Sequence, residues 1–143
     1  MPYRYLDDVA ISDAAIEVWG TSIEELFLSA AEATLQLMVD DISSVRKKDL
    51  FRIETEAPAL DLLLFKFLGE LIFYKDARRL FLIPEKIQIL EKEGGYRLTA
   101  ELRGETIDPA RHSLASDVKA VTLHRLAVKK NNGEWKGSLV LDI

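Results

Sequence analysis

Cysteine is absent from all 143 residues. That excludes disulfides, zinc–thiolate centres and thiol nucleophiles, and it suits a cytoplasmic location, which is the expectation here. Histidine is scarce: His112 and His124 are the only two, so any imidazole chemistry must use one of them. No long hydrophobic run occurs. The most apolar stretch, LDLLLFKFLGELIFY, is broken by Asp61, Lys66 and Glu70, which makes it a poor membrane span. The opening MPYRYLDDVA lacks an apolar stretch of signal-peptide length, so no targeting segment and no membrane association are expected. A positive balance is missing as well. The net charge is −5, and affinity for phosphate chains comes mainly from clustered Lys and Arg, so direct, tight nucleic-acid binding is disfavoured. The basic pairs Lys47-Lys48, Arg78-Arg79 and Lys129-Lys130 read as solvated surface. There is no Walker loop, dinucleotide fingerprint or G-x-S-x-G elbow, and no repeat, low-complexity tract or Pro/Gly/Ser linker.

What is present is a globular composition, 48% hydrophobic and 30% charged. A chain of this length buries roughly 70% of its unfolded surface, so one domain spanning 1–143 needs no staple. Two helices stand out. The first starts at TSIEEL, where Ser22 and Glu25 have capping-box spacing and Thr21 with Glu24 offers a second register. Ile23, Leu26, Phe27, Ala30, Ala31 and Leu35 then recur at helical spacing. The second comes after Pro58. Its apolar residues, from Leu60 through Ile72, nearly surround it, which reads as a central helix clasped by other elements.

The rest alternates. IQILEK, Gly94-Gly95 and YRLTAEL read as a hairpin. VKAVTLHRLAV and KGSLVLDI read as another, with Asn132-Gly133 as its turn. YRYL, AAIEVWG and part of SSVRKKDLFRIETEA are further strand candidates. The order gives an α+β class: two helices packed on a mostly antiparallel β-sheet in a single domain.

Both histidines fall within RHSLASDVKAVTLH. If residues 118–128 form one regular strand, Lys119 and His124 point to opposite faces and cannot act as a pair unless a bulge intervenes. His124 then shares a face with apolar neighbours and reads as a buried, hydrogen-bonded histidine. His112 comes after DPAR in a loop, where an imidazole is free to face a partner or a metal. Lys119 reads as either a surface lysine or a functional charge. Taken alone, Asp13 and Asp142 read as solvated strand-end acids.

The segments SDAAIEVWG, TSIEELFLSAAEATLQLM, LDLLLFKFLGELIFY, GETIDPARHSLASDVKAVTLHRLAV and GEWKGSLVLDI occur in that order across essentially the whole chain. In this combination the sequence resembles the archease family. It departs from the family at DDVAISDAAI, which has no histidine and two extra residues. Asp13, Ile16, Trp19 and Gly20 align best with the family's metal-binding aspartate and its neighbours; Asp7 and Asp8 are the alternatives.

The resemblance implies an accessory protein and not an enzyme. Its partner would be a GTP-dependent RNA-splicing tRNA ligase, whose guanylylation and multiple turnover it promotes. It also implies a divalent cation, Ca²⁺ first with Mg²⁺ or Mn²⁺ as alternatives, held by Asp13, Asp142 and the terminal carboxylate of Ile143. Crowded carboxylates repel unless a cation or proton neutralises them, and hard cations favour all-oxygen sites. His112 and Lys119 are the partner-facing candidates. The competing readings are a stand-alone metal-dependent hydrolase using the same acids with His112, and a metal-independent chaperone or adaptor.

Overall fold

The structure, a computed structural model, describes residues 2–6 and 13–143. Asp7 and Asp8, the alternative N-terminal ligands, lie outside the described residues. The elements in chain order are β1 (Tyr3–Leu6), β2 (Asp13–Gly20), α1 (Ile23–Met38), β3 (Asp49–Ala57), α2 (Leu60–Arg78), β4 (Leu80–Lys92), β5 (Gly95–Thr106), β6 (Ala120–Val121), β7 (Ala127–Asn131) and β8 (Glu134–Asp142). Two antiparallel sheets result. One runs β1-β2-β8, with β6 and β7 paired to different parts of β8. The other runs β3-β5-β4. A single apolar core joins both sheets and both helices.

The local signals act as expected. Ser22 Oγ accepts the Glu25 N–H at 3.1 Å, which closes the start of α1, and the Glu25 carboxylate accepts from the Thr21 hydroxyl at 2.9 Å. The first hairpin forms, but its turn is Glu93-Gly94, one residue before the expected Gly94-Gly95: Gly94 takes φ 84° and Gly95 already pairs with Lys92. The second turns at Asn132-Gly133, with φ of 53° and 79°, the positive pair that a two-residue type I′ turn requires. β4 shifts register between Pro84 and Lys86, as expected where a proline has no N–H for the ladder.

The helix expected to be central, α2, is less enclosed than α1. Both helices touch both sheets, α1 chiefly through β2 and β4 and α2 through β3, β4, β5 and β6, but α1 is the more completely buried. Leu26, Phe27, Ser29, Ala30, Ala31, Ala33, Thr34, Leu35 and Met38 are all buried. Its small residues let neighbouring backbones approach from several sides. α2 buries a single face, through Leu63, Leu64, Phe67, Leu68, Leu71, Ile72 and Lys75. Phe73, 55% exposed, and Leu62 lie outside that face. Hydrophobicity around α2 thus overstates how much of it the fold covers.

Gly69 sits in the middle of α2, and apart from its own chain neighbours and the adjacent helix backbone no atom lies within 4 Å of where a Cβ would stand. Gly69→Ala is expected to raise stability by about 0.5–1 kcal/mol, through reduced freedom of the unfolded chain and better helix propensity. A urea midpoint that moves down instead would show hidden crowding at that face.

Candidate functional site

Asp13 opens β2 and Asp142 closes β8. The antiparallel register sets them directly opposite, at the head of a ladder that continues through Ala14↔Leu141 to Gly20↔Trp135. Opposed residues in such a pair project to the same face, so the two carboxylates share one face. Both are partly exposed. On the other side of β8, Ala120 of β6 lies opposite Asp142, and the Lys119 N–H donates to the Asp142 carbonyl at 2.7 Å. Ile143 comes next, packed against the core. Asp13 and the Asp142–Ile143 segment therefore lie together, with Lys119 anchoring Asp142 through its backbone while its side chain is exposed. Among the described residues no three His, Cys, Asp or Glu side chains gather around one point.

His112 does not face outward. It is 1% exposed and sits on Phe81, ring edge to face, with centroids 5.4 Å apart. Its Nδ1 accepts the Asp108 N–H at 2.9 Å, so the proton resides on Nε2, 2.9 Å from Glu105 Oε2. The same Glu105 oxygen accepts the Arg46 N–H at 2.7 Å and pairs with Arg111 at 2.5 Å. Burial alone would raise the Glu105 pKa. Arg111, the Arg46 N–H and His112 outweigh it and hold the carboxyl at about 2. The expectation that His112 is free for a partner or metal is corrected on this point: DPARH forms a turn that closes on Glu105. Asp108 builds it, its carbonyl accepting the Arg111 and His112 N–H groups at 3.0 and 2.7 Å, and its carboxylate accepting that of Ala110 at 3.0 Å.

The turn continues into a segment pinned to the end of α1. Asp40 N–H donates to the Ser113 carbonyl, and Ala115 and Ser116 N–H donate to Met38 and Leu37, all at 2.8–2.9 Å. Lys75 of α2 then fixes Asp117 and Val118. Its Nζ lies 2.6 Å from Asp117, 2.7 Å from the Val118 carbonyl and 2.7 Å from Asp76. Burial would lower the Lys75 pKa, but Asp117 and Asp76 overcome it and the pKa is raised. Lys75 therefore stays charged and sets the chain just before Lys119 and Asp142. Glu105 and Lys75 both escaped the sequence reading. The G-E-x-x-D-x-x-R-H spacing names Glu105 but gives no sign that it is buried, and Lys75 looks like an ordinary last-turn lysine.

The regular strand expected over 118–128 is interrupted. Pairing stops after Val121 and resumes at Ala127. In between, the chain turns outward. Arg125 takes φ 56°, its carbonyl accepts the Ser138 hydroxyl, and His124 N–H donates to Thr122 Oγ1 at 3.3 Å. His124 is consequently exposed, not buried among apolar neighbours. No described helix is long and apolar enough to cross a membrane.

The fold and site define a class: a two-sheet α+β domain with a strand-end carboxylate pair and with its one buried imidazole committed to internal bonds. The chain belongs to the archease family: the Archease protein family (MTH1598/TM1083) profile matches residues 3–143. It is similar to the protein archease of Methanopyrus kandleri, 33% identical with all of both chains covered. It is also similar to the archease of Pyrococcus abyssi, 35% identical over 92% of this chain and 93% of that one. Among solved structures it resembles the solution structure of Methanobacterium thermoautotrophicum protein 1598, with TM-score 0.85, 31% identity and 99% of each chain covered. The crystal structure of a Thermotoga maritima protein, described as an archease and possible chaperone, shares the fold with TM-score 0.64, 19% identity and 94% and 93% coverage.

Proposed function

We propose that this chain is an accessory protein to a GTP-dependent RNA-splicing tRNA ligase, promoting guanylylation and multiple turnover of the ligase. The proposal includes a divalent cation, Ca²⁺ first, at the strand-end acids. The observation that carries it is the direct cross-strand pairing of Asp13 with Asp142. Like charges opposite one another weaken a sheet. A hard cation between them relieves that repulsion, and the donors are of the right kind, since Ca²⁺ takes irregular all-oxygen sets completed by carbonyls and water. Asp13, Asp142 and the C-terminal carboxylate of Ile143 would hold it. A bound cation would supply positive charge beside phosphate groups in the complex. Lys119 N–H and the Lys75–Asp117 pair keep Asp142 in register, while Lys119 offers an exposed ammonium beside the acids.

The test has two parts. Guanylylation of the ligase is measured alone, with this protein, and with Asp142→Asn; the protein is expected to accelerate it and the variant is not. Melting is then tracked against Ca²⁺. At 100 times its dissociation constant, a specific site adds about 2.7 kcal/mol of stability, and Asp142→Asn is expected to abolish that gain. An unaltered rate with the variant removes the acid pair from the mechanism.

One observation supports a second reading. Leu50, Phe73, Leu90 and Leu123 are more than half exposed, as an adaptor binding apolar surface would need. That reading predicts full acceleration in the presence of a chelator.

A further inference from the structure

The register of the larger sheet sets Trp19 of β2 opposite Lys136 of β8, and Lys136 opposite Lys129 of β7. These three side chains therefore form one row on one face. It is the outer face: the next residue, Gly137, points inward, where a Cβ would meet Val18 and Leu26. The spacing along β2 and β8 puts Asp13 and Asp142 on this same face, at its other end.

The lysine pair is costly as it stands, because like charges directly opposite destabilise a sheet. Among the described residues neither ammonium has a carboxylate within 4 Å. The nearby Glu17 is held by Arg4 at 2.6 Å. A lysine on an edge strand discourages edge-to-edge pairing, which accounts for Lys129. It does not account for Lys136, which lies on β8 with strands on both sides. Two recesses of about 310 and 260 Å³ adjoin the row and share Glu17, Lys136 and Gly137. Arg4, Lys129 and Lys136 against Glu17 and Glu134 give their lining a charge of +1 in a chain of −5.

Cations beside an aromatic platform on a sheet face are what single-stranded nucleic acid uses: ammonium groups for successive phosphates and a ring for a base. An acidic protein surface would engage the lysines without needing the half-buried indole. We propose that the Lys129–Lys136–Trp19 row binds the backbone of single-stranded nucleic acid, with one base stacked on Trp19. Two phosphate contacts make the interaction weak and salt-sensitive, in keeping with the acidic chain. The proposal is independent of the ligase and metal readings.

The experiment titrates the full chain, without metal or ligase, with a single-stranded oligouridylate, the corresponding duplex and polyglutamate, monitoring tryptophan fluorescence. Oligouridylate is expected to quench the signal, with a log–log salt slope near −1.4 from two phosphates. Lys129→Gln with Lys136→Gln is expected to flatten that slope. Trp19→Leu is expected to remove the quench and about tenfold in affinity, while Trp135→Phe keeps both. The proposal is overturned if oligouridylate gives no quench at low salt or if the double lysine variant binds with an unchanged slope. Equal binding of the duplex would refute stacking, and polyglutamate binding as tightly would assign the face to an acidic protein.

Discussion

Glu105→Ala is expected to lower stability by about 3 kcal/mol, the lower end of the range for removing one partner of a buried ion pair. The reason lies in what remains. The Arg46 N–H and His112 Nε2–H lose their acceptor in a region where Glu105 is 5% and His112 1% exposed, and buried donors without acceptors are costly. Arg111 mitigates the loss: its side chain is 30% exposed and it also donates to the Ser44 carbonyl at 2.7 Å, so water can take over part of its charge. In a domain of this size the melting temperature should drop by about 10 °C. Glu105→Gln retains an oxygen for the Arg46 N–H and should lose less. A loss under about 1 kcal/mol for the alanine variant would reduce the cluster to an ordinary surface pair.

The same group sets a pH dependence. The folded pKa of Glu105 is about 2, below its unfolded 4.5. A depressed carboxylate stabilises the folded state fully above the unfolded value, and the contribution is lost as pH falls through the folded one. Stability should therefore decline between pH 4.5 and 2. Asp117, lowered by its bond to Lys75, adds a loss of the same sign. Urea midpoints across this range check it, and the slope of the Glu105→Ala variant should be the shallower.

Gly104→Ala is expected to be more damaging, costing at least ~3 kcal/mol as an overpacked core site with no flexible neighbour. A Cβ at residue 104 would stand 1.8 Å from the Phe81 carbonyl oxygen and 3.0 Å from the Leu82 Cα. Those are backbone atoms, so no rotamer change relieves the clash. β4 would have to move off β5 at the pairing of Gly104 with Leu82, beneath the buried Leu80, Phe81 and Leu82. Phe81 also carries the His112 ring, so the DPARH turn would loosen with it. The contrast with Gly69→Ala is the sharpest check: one chemical change, opposite signs, decided by what surrounds each Cα. A Gly104→Ala midpoint equal to that of the unchanged protein would mean the two strands can separate freely there.

Trp19 and the two lysines show where reading along the chain stops. Lys129-Lys130 looks like solvated surface, and nothing local says that Lys136 lies across from Lys129 with Trp19 beyond it. His112 shows the same limit: its acceptor Glu105 is seven residues away, but another member of the cluster, the Arg46 N–H, is 59 away from Glu105. The break at 122–126 was hidden because alternation predicts a strand, while the turn is fixed by the Ser138 hydroxyl from another element.

The sequence by itself determined both helices, the Ser22 cap, both hairpins with the Asn132-Gly133 turn, the α+β class and the family, because caps, turns and periodicity act through neighbours within a few positions. It also supplied Asp13, Asp142 and Ile143 as one candidate group, through the motifs of the resemblance. Only the tertiary structure decided that α1 is buried more completely than α2, that Asp13 faces Asp142 across one ladder, and that His112 is buried while His124 is not. Each of those depends on which distant segments pack together, and that is settled by burial and hydrogen-bond satisfaction over the whole domain, which no local window contains.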